Sequence, residues 1–279
     1  MTPVDLHVHT NASDGRYSPA EIVQKAARAG LTVLAITDHD TISGIDTAQE
    51  AAKAFPSMTL ISGVEINTDV PSGEAHVLGY FIDRNSQELL SLLAEMRGSR
   101  QDRAQKMIAK LEQLGLPVSW ERVKKIANTD AIGRPHIAQA MLEKGYISSF
   151  KEAFDRYIGW GGPAYVERAK ISPLDATKLI SRTNGLPVLA HPLTVANPEQ
   201  MVQELKDGGL VGLEVYYGGY SVSDVSRILA LAVKYGLVAT GGSDFHGLDE
   251  KNETPLGGSG VPIESARQLI SLAGRRPLS

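Results

Sequence analysis

The feature that most constrains the fold is an alternation of short apolar segments with segments of helical periodicity along most of the 279-residue chain. Apolar runs predict strands at residues 4–8, 32–37, 60–66, 76–82, 186–190, 211–216 and 237–239. Helical patterns lie between or after them, at residues 19–30, 44–55, 172–184, 198–207, 222–235 and 264–274. Such alternation favours an α/β fold with parallel strands, and the number of units fits a (β/α) barrel better than a doubly wound sheet.

The middle of the chain interrupts this alternation. From residue 86 to residue 159 we find helix signals and no convincing strand. Leu89, Leu92, Leu93 and Met96, for example, recur on one helical face. The sequence therefore predicts a barrel formed by residues 1–85 and 160–279, and an all-helical insertion at 86–159 that acts as a lid and sets substrate choice.

The composition excludes several classes of protein. There are no cysteines, which excludes disulfides, zinc–thiolate sites, iron–sulfur clusters and a cysteine nucleophile. A net charge of −4 argues against a broad surface that coats nucleic acid. No apolar run approaches the ~20 residues that span a bilayer, and the chain begins directly with a strand-like segment. We therefore expect no membrane association, no signal peptide and a cytoplasmic location.

Histidines and carboxylates gather at the ends of the predicted strands. His7 and His9 form a pair on one side of the first strand, because residues i and i+2 point the same way. Six further candidates lie beside other strand ends: His39, Glu65, His76, His191, Asp244 and His246. One such histidine is more often structural, but this set at the mouth of a barrel, with Asp14 nearby, indicates a multinuclear metal site. Imidazole and carboxylate without thiolate suit zinc, manganese or iron.

These motifs resemble the PHP family, named for polymerases and histidinol phosphatases. The matching segments are Asp5-Leu6-His7-Val8-His9-Thr10, Ser13-Asp14-Gly15, Ile36-Thr37-Asp38-His39-Asp40, Gly63-Val64-Glu65-Ile66, Ala75-His76-Val77-Leu78-Gly79, Ala190-His191-Pro192 and Gly242-Ser243-Asp244-Phe245-His246. The resemblance implies a distorted (β/α)7 barrel that binds three metal ions. It implies that His7, His9, Glu65 and Asp244 hold the first ion.

For the second ion the resemblance implies a bridging Glu65 with His76 and His191. The third ion is then held by Asp14, His39 and His246. Members of the family often have a histidine where this chain has Asp14, and a carboxylate there could weaken zinc binding or favour manganese. We expect two to three divalent ions, Mn²⁺ above all, with Zn²⁺, Fe²⁺ and Mg²⁺ as alternatives.

Within the family, the chain is similar to stand-alone bacterial phosphoesterases with a helical insertion. The segment Gly133-Arg134-Pro135-His136-Ile137-Ala138 resembles a motif of that subgroup. This implies removal of the 3′-phosphate from nucleoside 3′,5′-bisphosphates. A 5′-to-3′ exonuclease acting on short RNA and a histidinol-phosphatase-like enzyme remain alternatives. So do an amidohydrolase and a non-catalytic metal-binding regulator.

For the mechanism, we expect a metal-bridging hydroxide to attack phosphorus in line. The catalytic candidates are Glu65, His191, Asp244 and His246. Arg134 and His136 are candidates for binding a second, non-reacting phosphate, because arginine offers that group a bidentate fork. Arg100 and Arg103 on the inserted helix are further candidates, and Tyr216 and Tyr217 could stack a base. The expected partner is a small phosphorylated nucleotide or a short RNA, and no stable protein partner is implied.

Overall fold

Seven strands form one sheet in the described part of the chain. The computed structural model describes residues 2–70, 74–167, 171–249 and 251–274. The strands follow one another around the sheet in chain order. They are β1 (Val4–Asp5), β2 (Val33–Ile36), β3 (Thr59–Asp69), β4 (Glu74–Tyr80), β5 (Leu186–Leu189), β6 (Gly212–Tyr217) and β7 (Val238–Gly242).

The first and last strands come together and close the sheet into a barrel. The amide of Leu6 donates to the carbonyl of Gly241 over 3.2 Å, and the amide of Asp244 donates to the carbonyl of His7 over 2.9 Å. Apolar side chains from opposite walls, such as Leu6, Leu78 and Val188, fill the interior without exposure to solvent. This confirms the predicted barrel.

The expectation that every strand is parallel is wrong for β4. Strand β4 runs antiparallel to both β3 and β5, whereas the other neighbouring pairs are parallel. Only four residues separate Asp69 from Glu74, whereas two parallel strands need a crossover connection of about a dozen residues or more. The reversal brings the amino end of β4, with His76, to the edge where the neighbouring parallel strands have their carboxyl ends. It explains why His76 lies near the start of its strand, whereas His39, His191 and Asp244 follow the last residues of theirs.

Helices lie close to the predicted positions in the described part of the chain, and those outside the middle segment cover the barrel. The helices are α1 (Pro19–Arg28), α2 (Ile45–Ala52), α3 (Gln87–Gln113), α4 (Trp120–Ala127), α5 (Arg134–Glu143), α6 (Phe150–Ala153), α7 (Pro173–Arg182), α8 (Pro198–Lys206), α9 (Val222–Lys234) and α10 (Ile263–Gly274). A π-helical turn at Phe154–Ile158 follows α6. Ser18 caps α1 as predicted, with Glu21 completing a capping box. Among the helices of the described residues, none is long and apolar enough to cross a lipid bilayer.

The helices α3 to α6 and the π-helical turn, here called the insert, have an apolar core of their own. Met107, Leu111, Ile137 and Met141 belong to this core and are buried. Helix α3 has 27 residues and is therefore about 40 Å long. Its first turns pack Leu89 and Leu93 on the barrel, whereas its last turns belong to the core of the insert. A single helix thus joins the barrel wall to the insert.

Candidate metal centre

The predicted metal ligands meet at one edge of the barrel. Strands β1, β2, β5 and β7 present residues that lie just beyond their carboxyl ends, β3 presents Glu65 from within the strand, and β4 presents its amino end. The side chains that come together are those of His7, His9, Asp14, His39, Glu65, His76, His191, Asp244 and His246. Three clusters of ligand atoms result, each with its atoms within 4.8 Å of one another.

Glu65 lies at the centre of these clusters and is fully buried. Its Oε1 is 2.8 Å from Nδ1 of His76 and 3.1 Å from Nε2 of His191. Its Oε2 is 3.2 Å from Nε2 of His7, 3.3 Å from Nε2 of His9 and 2.9 Å from Nδ1 of His39. Each carboxylate oxygen thus faces a different set of imidazoles, as a carboxylate that bridges two cations must.

The cluster of His7, His9, Glu65 and Asp244, here called the first group, matches the first predicted set. Asp244 Oδ1 lies 3.3 Å from Nε2 of His7 and 3.0 Å from Nε2 of His9. Although these atoms are close, Nε2 of His7 and Oε2 of Glu65 have no hydrogen-bond partner within the described residues. The same holds for both ring nitrogens of His9.

A buried polar atom without a hydrogen bond raises the free energy of the folded state, so the converging atoms of the first group need a different kind of partner. A divalent cation satisfies lone pairs that point at a common position, and imidazoles with carboxylates are suitable ligands for one. The residues present therefore fit divalent metal ions.

The cluster that contains Asp14, here called the Asp14 group, holds one ligand more than the sequence predicted. It comprises Asp14, His39 and His246, as expected, together with His9. Burial lowers the pKa of His39 to about 4, against the pull of Glu65 and Asp14. Burial also disfavours charge on His246, but hydrogen bonding and attraction to Asp14 outweigh it and raise the pKa of that ring to about 10.

Several side chains that support these ligands were missed from the sequence. Glu214 on β6 is fully buried, and its Oε1 lies 2.9 Å from Nδ1 of His7. Its Oε2 accepts a hydrogen bond from the backbone amide of His191 over 2.7 Å. A carboxylate partner on the far side of a ligating imidazole fixes the orientation of the ring. The available signal was an acidic residue inside the otherwise apolar run 211–216.

Asp5 and Tyr217 have comparable supporting roles. Asp5 is buried and accepts hydrogen bonds from the amides of Ser243 and Gly257, each over 2.9 Å, which ties the start of the chain to the loop after β7. Tyr217 donates its hydroxyl hydrogen to Oδ2 of Asp244 over 2.8 Å. It was considered as a base-stacking residue, and this contact gives it a different function, because it orients a predicted ligand.

The insert covers the Asp14 group with the start of α5. A Cβ atom placed on Gly133 would lie 3.1 Å from Oδ2 of Asp14. His136 is buried, and its Nδ1 accepts a hydrogen bond from the amide of Gly133 over 2.9 Å, so that it caps the helix. Arg134 is partly exposed and lies 5.4 Å from the centre of the Phe154 ring. Two of the predicted phosphate ligands therefore lie where the insert meets the barrel.

The other two predicted phosphate ligands lie on α3. Arg100 is buried and donates from Nε to Oδ2 of Asp40 over 2.7 Å. Arg103 lies one turn further along α3 and is also buried. It lines a cavity of about 410 Å³ whose other charged residues are Glu95, Asp102, Lys106 and Glu167. Three carboxylates beside Arg103 disfavour a phosphate there, and Arg100 is already paired with a carboxylate.

Mn²⁺ is expected to raise the melting temperature of protein stripped with EDTA by at least about 5 °C at saturating concentration. A ligand that binds only the folded state stabilises it, by about 2.7 kcal/mol when the free ligand concentration is 100 times Kd. Each kcal/mol raises the melting temperature by roughly 2–4 °C for a chain of this size. Calorimetry with and without added Mn²⁺ measures the shift, and added Na⁺ at equal ionic strength is the control. Equal shifts for the two cations would contradict a specific site.

Comparison with known proteins agrees with this architecture. A family model described as the PHP domain matches residues 5–166. A 5′-3′ exoribonuclease of Haemophilus influenzae is 35% identical over 246 residues, which cover 87% of this chain and 89% of the relative. A 3′,5′-nucleoside bisphosphate phosphatase of Chromobacterium violaceum is 32% identical over 251 residues, covering 88% of each protein.

Solved structures extend the agreement to the whole fold. An inferred metal-dependent phosphoesterase from Bifidobacterium adolescentis superimposes with a TM-score of 0.86 at 29% sequence identity. The superposition covers 97% of this chain and 98% of that one. The family match spans more than half of the chain and confirms the resemblance carried by the motifs, so this chain belongs to the PHP domain family.

Proposed function

We propose that this protein is a metal-dependent phosphatase that removes the 3′-phosphate from nucleoside 3′,5′-bisphosphates. Its PHP family membership and its phosphatase and exoribonuclease relatives make it a hydrolase of phosphoester bonds. The observation that carries the narrower proposal is the position of α5. Its first turn, with Arg134 and His136, lies directly against the Asp14 group, so a second phosphate can be held while the first one reacts.

The chemistry of phosphoester cleavage depends on positive charge around the phosphoryl oxygens. Divalent ions held by the first group, and by Glu65 with His76 and His191, would supply that charge and would lower the pKa of water. The protein contributes the fixed geometry of its ligands. Glu214 orients the His7 ring, and Tyr217 holds Asp244 through its hydroxyl.

The start of α5 has the properties of a phosphate subsite. Because the amide of Gly133 donates to Nδ1 of His136, the ring proton is on Nε2, which is therefore a donor. Burial lowers the pKa of His136 to about 4, so the ring is neutral at pH 7. Arg134 supplies the positive charge, and its guanidinium can bind phosphate through two hydrogen bonds. Both donors lie in the first turn of α5, and the amino terminus of a helix favours anions.

Phosphate release from adenosine 3′,5′-bisphosphate by the Mn²⁺-loaded protein tests the proposal. AMP, histidinol phosphate and a 5′-phosphorylated RNA trimer serve as parallel substrates. We expect selective release from the bisphosphate, with 5′-AMP as the remaining product. Release only from histidinol phosphate, or no release from the bisphosphate, would contradict the proposal.

A 5′-3′ exoribonuclease is the second candidate, and two cavities beside the site favour it. One, of about 410 Å³, is lined by Asp14, Arg16 and His136 among others. The other, of about 320 Å³, is lined by His246, Phe150 and Phe154 among others. A polar cavity and an aromatic one beside the site offer room for a second nucleotide and a platform for a base. Faster cleavage of the trimer than of the bisphosphate would favour this candidate.

Replacing Arg134 by alanine is expected to raise KM for adenosine 3′,5′-bisphosphate by about 10- to 100-fold. A charge-assisted hydrogen bond contributes roughly 1.5–3 kcal/mol, which corresponds to that range. Hydrolysis of p-nitrophenyl phosphate, which has no second phosphate, should change much less. Steady-state kinetics on both substrates measure the difference.

Arg156 offers a matched control for this substitution. It also lies in the insert against an aromatic ring, 5.1 Å from the centre of Tyr157, but its side chain is exposed and paired with Glu152. Arg156→Ala should leave both KM values unchanged. An unaltered KM for the bisphosphate in Arg134→Ala would remove Arg134 from the subsite.

A further inference from the structure

We propose that Arg100 is a positioning residue for His39: acting through Asn67, it fixes which ring nitrogen of His39 carries the proton and thereby weakens metal binding in the Asp14 group. The inference rests on that group's binding a metal ion, as the proposed function requires. It concerns ion affinity and the state of one imidazole, so it can be tested without an enzymatic assay.

Arg100 joins the insert to the barrel through a set of contacts with Asp40 and Asn67. Its Nε donates to Oδ2 of Asp40 over 2.7 Å, and its Nη2 donates to Oδ1 of Asn67 over 2.5 Å. Asp40 also binds Asn67 directly, because its Oδ1 accepts a hydrogen bond from the backbone amide of Asn67 over 3.1 Å. Asp40 is fully buried, and Arg100 and Asn67 nearly so. The Asn67 side chain is thus held between a donor from the insert and the barrel wall.

These contacts of Arg100 and Asp40 determine how the Asn67 amide is oriented. A guanidinium has only donors, so the atom of Asn67 that faces Arg100 must be the carbonyl oxygen. The amide nitrogen Nδ2 then faces His39, where it lies 3.0 Å from Nδ1. Because an amide NH₂ has only hydrogens to offer, Nδ1 of His39 must present its lone pair, and the ring proton is on Nε2.

Glu65 favours the opposite arrangement at the His39 imidazole, with a proton or a cation on Nδ1. Its Oε2 lies 2.9 Å from Nδ1 of His39, and a carboxylate oxygen is best satisfied there by a proton or a cation. While Arg100 holds Asn67, the lone pair on Nδ1 is engaged by the amide, and Nε2 carries a hydrogen. Either nitrogen must then give up a partner before it can bind a metal ion.

The consequence is that docking of the insert opposes ion binding by His39. If Arg100 releases Asn67, the amide can turn over and accept a proton from Nδ1, which leaves Nε2 with a free lone pair. Ions held by the other ligands need no such change, because Arg100 and Asn67 contact none of His7, His9 or Asp244 in the interactions described above.

The proton position can be read directly in the metal-free protein. Two-bond ¹H–¹⁵N correlation spectra distinguish the two neutral forms of histidine, and a His39→Gln spectrum identifies the signals of His39. We expect the wild-type ring to carry its proton on Nε2. In Asn67→Asp, which keeps an oxygen toward Arg100 but presents an acceptor to the ring, the proton should move to Nδ1. A wild-type ring protonated on Nδ1 would overturn the proposal.

Ion affinity is the second readout. Titration with Mn²⁺, followed by the electron paramagnetic resonance signal of the free ion, gives the number of sites and their dissociation constants. Asn67→Ala removes the competing amide, and Arg100→Lys keeps a cation beside Asp40 without the two-nitrogen fork. Both should bind the weakest ion about tenfold more tightly, a coupling within the ordinary range for linked sites. The tighter sites should be unchanged.

Arg97 provides the matched control, because it joins α3 to the same loop without contacting Asn67. Its Nη1 donates to the backbone carbonyl of Asp40 over 3.1 Å. Arg97→Lys should therefore leave the weakest site unchanged. Unaltered ion affinity in Asn67→Ala would overturn the proposal. A shift in Asn67→Ala with none in Arg100→Lys would overturn the part assigned to Arg100. A protein that binds ions as expected but hydrolyses no bisphosphate would contradict the proposed substrate alone.

Discussion

Glu65→Gln is expected to lower turnover by at least about 10³-fold and to reduce the number of tightly bound Mn²⁺ ions. A 10³-fold loss corresponds to about 4 kcal/mol of transition-state stabilisation. The substitution keeps the shape of the side chain but removes its charge. It also replaces one of the two oxygens that face five histidines with a donor that cannot bind a cation. Metal analysis and single-turnover kinetics measure the two effects separately.

Glu214→Gln is the matched control, because it makes the same chemical change at another buried carboxylate beside His7. Glu214 holds the far side of the His7 ring and is no predicted ligand, so its loss should cost about 10- to 100-fold in metal affinity or activity. Two outcomes would contradict the proposed bridging role of Glu65. One is equal loss in both variants, and the other is Glu65→Gln protein with full metal content and more than a tenth of the activity.

Gly242→Ala is expected to destabilise the fold by about 3–5 kcal/mol, a size found only for severe mechanisms such as forced overpacking. A Cβ atom at this position would lie 2.3 Å from Cβ and 2.4 Å from the backbone nitrogen of His7. No rotamer change relieves a clash with backbone, so β1 must move away from β7. The melting temperature should fall by roughly 6–20 °C, and metal binding should weaken because His7 moves.

Gly98→Ala separates this effect from the general consequences of replacing glycine. Gly98 lies in the interior of α3 and is exposed, and an added Cβ atom would meet no atom within 4 Å. Alanine there should stabilise the helix by about 0.5–1 kcal/mol. Calorimetry on both variants measures the contrast. A Gly242→Ala protein with wild-type melting temperature would contradict the close approach of the two strands.

The sequence predicted individual strands and helices well, because the hydrophobic periodicity that reveals them depends only on residues close together in the chain. The strand at 32–37 and the helix at 222–235 appear within two residues of their predicted ends, as Val33–Ile36 and Val222–Lys234. Strand direction was the main error, because direction depends on the connection between two strands and not on the pattern within either one. The short link between β3 and β4 was the available signal.

The candidate site was predicted with uneven success for a similar reason. Histidines at strand ends are visible in a sequence, and His7, Glu65 and Asp244 do converge. The contacts that orient them depend on register between strands far apart in the chain, so Glu214 went unnoticed. The function of a long side chain also depends on its partner. Arg100 was predicted to bind phosphate, and only the structure places it against Asp40 and Asn67.

Closure of the barrel by its first and last strands determines when a working protein can exist during synthesis. His7 leaves the ribosome early, but Asp244, which completes the first group, follows more than two hundred residues later. At the usual 5–20 residues per second this delay is roughly 10–50 s. Throughout that time β1 has one open edge, and an arriving ion meets an incomplete set of ligands. A complete first group therefore forms only after β7 and Asp244 have been synthesised, and a nascent chain that stops before β7 cannot offer this set of ligands to a metal ion.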